Sequence, residues 1–173
     1  MKKNKGFTLV ELLAVIVILA IIMIIAIPAV LQTMQSARQK TFKEYVTKVY
    51  SAGQNAYLSK QTLGTNNGTT PIEVNFKESG DTDENKHTCT AFDIQTGLGL
   101  SSTGSYKGAV IVCPGTNVGD ETKIFVGLKD DNYSTKGYIE YKGEDSIDLG
   151  TADDFSYTTI TSSTTGLAEK TNS

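Results

Sequence analysis

The chain has 173 residues and a formal charge of −3 at pH 7. That length accommodates one membrane helix and one small globular domain. The acidic balance excludes broad phosphate binding, which needs clustered Lys and Arg, so no nucleic-acid partner is expected. The absence of Trp and the abundance of Gly and Thr suit an exported, turn-rich domain.

Met1 to Lys5 is short and basic and has no apolar region of its own. It is therefore not an ordinary secretory signal, in which cleavage follows the apolar run and discards it. Here a glycine, Gly6, precedes the run, and from Phe7 to Leu31 the only polar side chains are Thr8 and Glu11. Leu12 to Leu31 alone is long enough to cross a hydrocarbon core of about 30 Å at about 1.5 Å per residue. The leader lysines favour the cytoplasmic side, which puts the bulk of the chain outside. A carboxylate in such a segment costs about 2.5–3.5 kcal/mol on insertion scales, so Glu11 is expected to have a function and a charge partner. A plain signal anchor explains the apolar run but neither Glu11 nor the glycine. Pro28 deprives the Ile24 carbonyl of its helical donor, and a kink is expected there.

The run Gly6-Phe7-Thr8-Leu9-Val10-Glu11 behind a Lys-rich leader resembles the class III signal of type IV prepilins and pseudopilins. The resemblance implies that a prepilin peptidase cuts between Gly6 and Phe7, methylates the new amine of Phe7 and leaves the apolar helix in the mature protein. Loss of Lys2, Lys3 and Lys5 takes the formal charge from −3 to −6. In the family, the carboxylate matching Glu11 attracts the amino terminus of a neighbouring subunit and sets register. A proline matching Pro28 is common there, and the stretch before it, here 21–26, can lose helicity in the filament. The implied partners are other copies of the chain, the peptidase, and the pilus assembly platform with its ATPase. The implied location is a single-pass precursor in the cytoplasmic membrane, head outward, and then a pilus on the cell surface. A pseudopilin of a secretion or DNA-uptake system and a minor tip adhesin are the alternatives. Adhesion and twitching motility are family roles that the sequence does not choose between. The resemblance covers the first thirty-odd residues closely and the rest in outline.

Beyond Leu31 the helical pattern continues to about Ser59. Phe42, Tyr45, Val46, Val49, Gly53 and Ala56 recur at spacings of three and four as one apolar stripe. Gln35, Arg38, Gln39, Lys43, Lys48 and Gln54 lie largely off it. Gly64 to Thr70 is turn-forming chemistry and ends the helix. A loop is expected from there to Ser105, holding a short extended piece over Ile72 to Phe76. Strands are predicted over Tyr106–Val112, Lys123–Lys129 and Gly137–Tyr141, with a turn at Asp130-Asp131-Asn132 and a last strand over Phe155–Ile160. The expected class is α+β: one long amino-terminal helix, half membrane and half amphipathic, packed on an antiparallel sheet. The expected divisions are a leader (1–6), an apolar assembly helix (7–31), an amphipathic half (32–60), a head (61–160) and a Ser/Thr-rich tail (161–173).

Cys89 and Cys113 are the only thiols. In an exported domain they point to a disulfide tying the loop to the Tyr106–Val112 strand, with two free buried thiols as the alternative. His87 is the sole histidine and stands in no nucleophile elbow or zinc spacing, so it reads as a loop residue. Asp81, Asp83 and Glu84 fail the calcium-loop spacing, and Asp130-Asp131-Asn132 is explained by a turn. Asn67 and Asn132 head glycosylation patterns that recur by chance. No cofactor, metal or enzyme activity is expected.

Overall fold

The computed structural model describes residues 6–63, 72–77, 87–100, 105–115, 119–158, 160 and 167–168. The chain divides into two units, Met1–Lys40 and Thr41–Ser173. Helix α1, Leu9–Leu63, contributes to both and contains Pro28 without an interruption of its helical backbone.

In the first unit α1 carries no core. Its large apolar side chains, from Leu9 at 80% to Met34 at 48% exposure, all face outward in the single chain. Leaving so many Leu, Ile and Val side chains in water forgoes about 1.5–3 kcal/mol each, which a soluble monomer rarely does.

The second unit is built on a sheet of eight strands: β1 (Ile72–Lys77), β2 (His87–Asp93), β3 (Lys107–Cys113), β4 (Lys123–Lys129), β5 (Tyr133–Thr135), β6 (Ile139–Glu140), β7 (Leu149–Thr151) and β8 (Leu167–Ala168). The spatial order is β7-β5-β4-β3-β2-β1-β8, with β6 also on β4. Every pairing is antiparallel except β1 with β8. The class is thus α+β as expected, with one parallel pair at the edge.

The sheet is covered on both faces, which is why β3 (Lys-Gly-Ala-Val-Ile-Val-Cys) is buried at every position after its lysine. Phe92, Val110, Val112, Ile124, Val126 and Leu128 meet Phe42, Val46 and Val49 of α1. Gly53 lets the helix come close, since a Cβ there would lie 2.5 Å from Val110 Cγ1. The opposite face, with Val74, Phe76, Ala91, Ile111 and Phe125, lies under Tyr138, Phe155 and Ile160. Gly127 makes that covering possible: a Cβ would lie 2.7 Å from the Tyr138 ring and 2.8 Å from Phe155.

Three expectations are corrected. The loop from Gly64 to Ser105 contains an inner strand, β2, paired on both sides, and His87 is its first residue. Residues 155–158 form no strand. Phe155 is buried and Tyr157 half-buried against a sheet face whose backbone groups are already paired, so the segment lies across the sheet without joining it. The tail supplies β8; its other residues lie outside the described ones, as do Asp81, Asp83, Glu84 and Asn67. The Asp130 turn forms as expected: Asn132 N–H (2.7 Å) and Tyr133 N–H (2.6 Å) both donate to Asp130 Oδ1.

Candidate assembly site at the amino terminus

Residues 6–8 precede the helix and are not helical. Gly6 has open space around it and Phe7 is 83% exposed, so the Gly6–Phe7 bond is accessible on non-helical backbone just outside α1. Thr8 is the helix cap, because its carbonyl accepts the first helical bond, from Leu12 N–H at 3.3 Å.

Thr8 and Glu11 cap each other. The Thr8 N–H and hydroxyl both donate to Glu11 Oε2 at 2.9 Å, and Glu11 N–H donates back to Thr8 Oγ1 at 3.3 Å. This is the reciprocal capping box in which a carboxylate at the third helical position satisfies an otherwise orphaned amide. It also places a negative charge in the first turn, where the helix dipole favours it. Glu11 therefore has a role within its own chain, and its second oxygen, Oε1, accepts no hydrogen bond among the described residues. The role of Thr8 was missed by the reading of the run as leader plus apolar stretch. The signal was present: Thr8-Leu9-Val10-Glu11 is the Thr-x-x-Glu pattern that opens a helix.

Pro28 lies seventeen residues further along the same helix and does not meet this site. Cys89 and Cys113 are elsewhere too, and they form a disulfide with 4.3 Å between their Cα atoms. The bridge does not tie a loop to a strand. It joins directly opposed positions of β2 and β3, one step beyond the Thr90↔Val112 pair. Both cysteines are buried, and closing a loop of that length stabilises by roughly 3 kcal/mol in the chain-entropy model.

A second polar centre was not foreseen. Asp93 is 4% exposed, and its Oδ1 accepts from Gln95 N–H (2.9 Å), Thr96 N–H (2.9 Å) and the Thr96 hydroxyl (3.2 Å). The Tyr157 hydroxyl donates to its other oxygen. Burial, then the bond to Asp93, pushes the Tyr157 phenol far above its ordinary value. Burial does the same to Tyr138, with Asp93 adding to it. Lys129 Nζ donates to the Phe155 carbonyl at 3.0 Å, a second anchor for the covering segment. A cavity of about 180 Å³ opens beside Asp93, lined by Thr96, Lys107 and Tyr157. With its acceptors already taken by the turn and by Tyr157, Asp93 is a structural carboxylate. No group of three or more metal-ligating side chains occurs among the described residues.

Residues 1–27 match the family model of the prokaryotic N-terminal methylation motif. No curated protein and no solved structure matches the chain. Among the described residues one helix is long and apolar enough to cross a membrane, and it begins at Leu9, inside the matched region. Residues 1–27 thus carry the N-terminal methylation motif, the class III signal characteristic of type IV pilins and pseudopilins.

Proposed function

We propose that this chain is a structural subunit of an extracellular type IV pilus. It is stored as a single-pass precursor, cut between Gly6 and Phe7 by a prepilin peptidase, methylated at the Phe7 amine, and packed helix to helix. The observation that carries this reading is the conjunction at the amino terminus. A methylation motif over 1–27 includes the start of an apolar helix surface that no described residue covers. Neighbouring copies supply that cover, burying Leu, Ile and Val side chains at about 25 cal/mol per Å².

Glu11 sets the register. Its Oε2 is held by Thr8, which fixes the carboxylate at the helix start, while Oε1 is free for a neighbour's cationic Phe7 amine. In apolar surroundings that pairing is strongly favoured over a lone carboxylate. Pro28 gives the helix a point of bending during packing. The assembly platform and its ATPase drive the extraction from the membrane, and the head needs no chemistry of its own.

Mass spectrometry of unreduced protein sheared from intact cells tests this. The expected species begins at methylated Phe7 and lacks two hydrogens for the Cys89–Cys113 bridge. A chain still beginning at Met1 and found only in membranes contradicts the reading.

A further inference from the structure

The cavity of about 180 Å³ beside Asp93 lies wholly within the second unit. Strand register explains its lining. Asp93 of β2 stands opposite Ala109 of β3, and Lys107 is two residues back along β3. Side-chain alternation therefore puts Asp93 and Lys107 on the sheet face that Phe155 and Tyr157 cover. Asp93, Ile94 and Gly108 form the buried side of the cavity, while Thr96 and Lys107 are exposed and leave it open to solvent.

The polar groups of this lining are already oriented. A carboxylate only accepts, so the Thr96 and Tyr157 hydroxyls both direct their protons at Asp93. Toward an occupant of the cavity the two hydroxyls are left as acceptors. Lys107 is the reverse: its ammonium carries three donors and has no ion pair or side-chain hydrogen bond among the described residues. A second cation stands directly opposite it on β4, Lys129, whose amine rests on the Phe155 carbonyl. Asp93 is satisfied by four hydrogen bonds, so the unanswered charge at the cavity is positive.

We propose that this cavity binds a small hydroxylated carboxylate of the sugar-acid class, its carboxylate on Lys107 and its hydroxyls donating to Thr96 and Tyr157. The acceptor hydroxyls select a ligand with donors, and the free ammonium selects an anion. A neutral sugar lacks the second feature and a simple carboxylic acid the first. A volume below the roughly 300–1,000 Å³ of drug-sized sites limits the occupant to a single sugar unit. The site goes beyond the filament reading and does not depend on it, since no neighbouring copy is needed. On a fibre it is repeated in every copy, so weak single contacts to an acidic polysaccharide add up.

The test is an amide chemical-shift titration of the full mature chain in detergent, with glucuronate as the probe and salt near the physiological ~0.15 M. Glucuronate is expected to bind with a Kd on the order of 1 mM and to move the Thr96 and Gly108 amides. Acetate and glucose should bind about fivefold more weakly or worse, and K107Q should weaken glucuronate about fivefold. K107R keeps the cation and should retain binding, whereas T96V should weaken glucuronate and leave acetate unchanged. Equal binding of the free acid and of a disaccharide ending in glucuronate supports the site and identifies a glycan end. Binding of the free acid alone supports it and identifies a soluble hydroxy acid. Absence of shifts, or shifts remote from Thr96 and Gly108, overturns the proposal. Equal binding of acetate or glucose, or by K107Q, overturns it too and leaves an adventitious ion only. Failure of the filament reading shows at the Phe7 terminus and does not alter these titrations.

Discussion

The two units of this chain use apolar side chains in opposite ways. Along residues 9–34 of α1, Leu, Ile and Val occupy most positions and stay exposed. In the unit from Thr41 onward, Phe42, Val46, Val49, Phe92, Val110 and Val126 are sparser, periodic and almost wholly buried. Periodicity is the signature of burial against one's own chain, because a helix on a sheet needs only one apolar face. An apolar surface all round is the signature of burial by something else, lipid first and other helices after it. Glu11 belongs to the all-round apolar surface and Asp93 to the self-buried one. Asp93 has all its partners inside its own chain, whereas Glu11 has half of its acceptor capacity held by Thr8 and half open.

Truncating one apolar side chain in each unit separates their two roles. Phe92→Ala removes a fully buried ring from the helix-facing side of the sheet and is expected to destabilise the second unit by about 3–5 kcal/mol. Ile18→Ala removes a side chain that is 57% exposed in the single chain. It should leave the thermal unfolding of the second unit unchanged and lower filament yield. Equal thermal shifts in both variants would refute the division of labour. Differential scanning calorimetry of detergent-solubilised protein reads this directly.

A smaller effect separates the units by pH. Tyr138, Tyr157, Tyr45 and Tyr106 all have phenols raised by burial, with Asp93 or a neighbouring group adding to it. Their folded values lie above the unfolded value of about 10. The stability linked to them is therefore complete below about pH 10 and is lost as pH rises further towards the folded values. The melting temperature of the second unit should fall above about pH 10, and Tyr157→Phe should make that fall shallower. A fall of the same steepness in wild type and Tyr157→Phe would show that the buried phenol is not responsible.

How much could be read in advance differed between the units for the same physical reason. The first unit is legible because its meaning is local: Gly6, Phe7, Glu11 and an unbroken apolar run need no tertiary partner to be recognised. Even there the Thr8 cap went unread, since a single threonine ahead of a long run adds little to its hydropathy. In the second unit β4 was placed at its observed bounds and β3 to within one residue, because both are strongly β-branched. Strand β2 has no strong local signal because His-Thr-Cys-Thr-Ala-Phe-Asp has small and polar residues, buried only once the strand pairs between β1 and β3 and both sheet faces are covered. Phe155–Ile160 misled in the other direction. Its apolar residues are buried as expected, but periodicity reports burial and not hydrogen bonding, and this segment covers a face without pairing. Contacts that depend on the third dimension, such as Tyr157 to Asp93, have no local signal at all.

In the proposed filament the Glu11 charge, and not merely its capping of the helix, drives assembly. Glu11→Gln separates the two, because glutamine still accepts from Thr8 in a capping box but carries no charge for a neighbour's amine. The measurement is filament yield from Glu11→Gln beside Glu11→Ala and Thr8→Ala, with cleavage after Gly6 monitored in each. Both Glu11 variants are expected to be cleaved normally and to lose filaments alike, while Thr8→Ala, which keeps the charge, retains a substantial fraction. Wild-type filaments from Glu11→Gln, with losses in Thr8→Ala and Glu11→Ala, would reduce Glu11 to a helix cap and contradict the account.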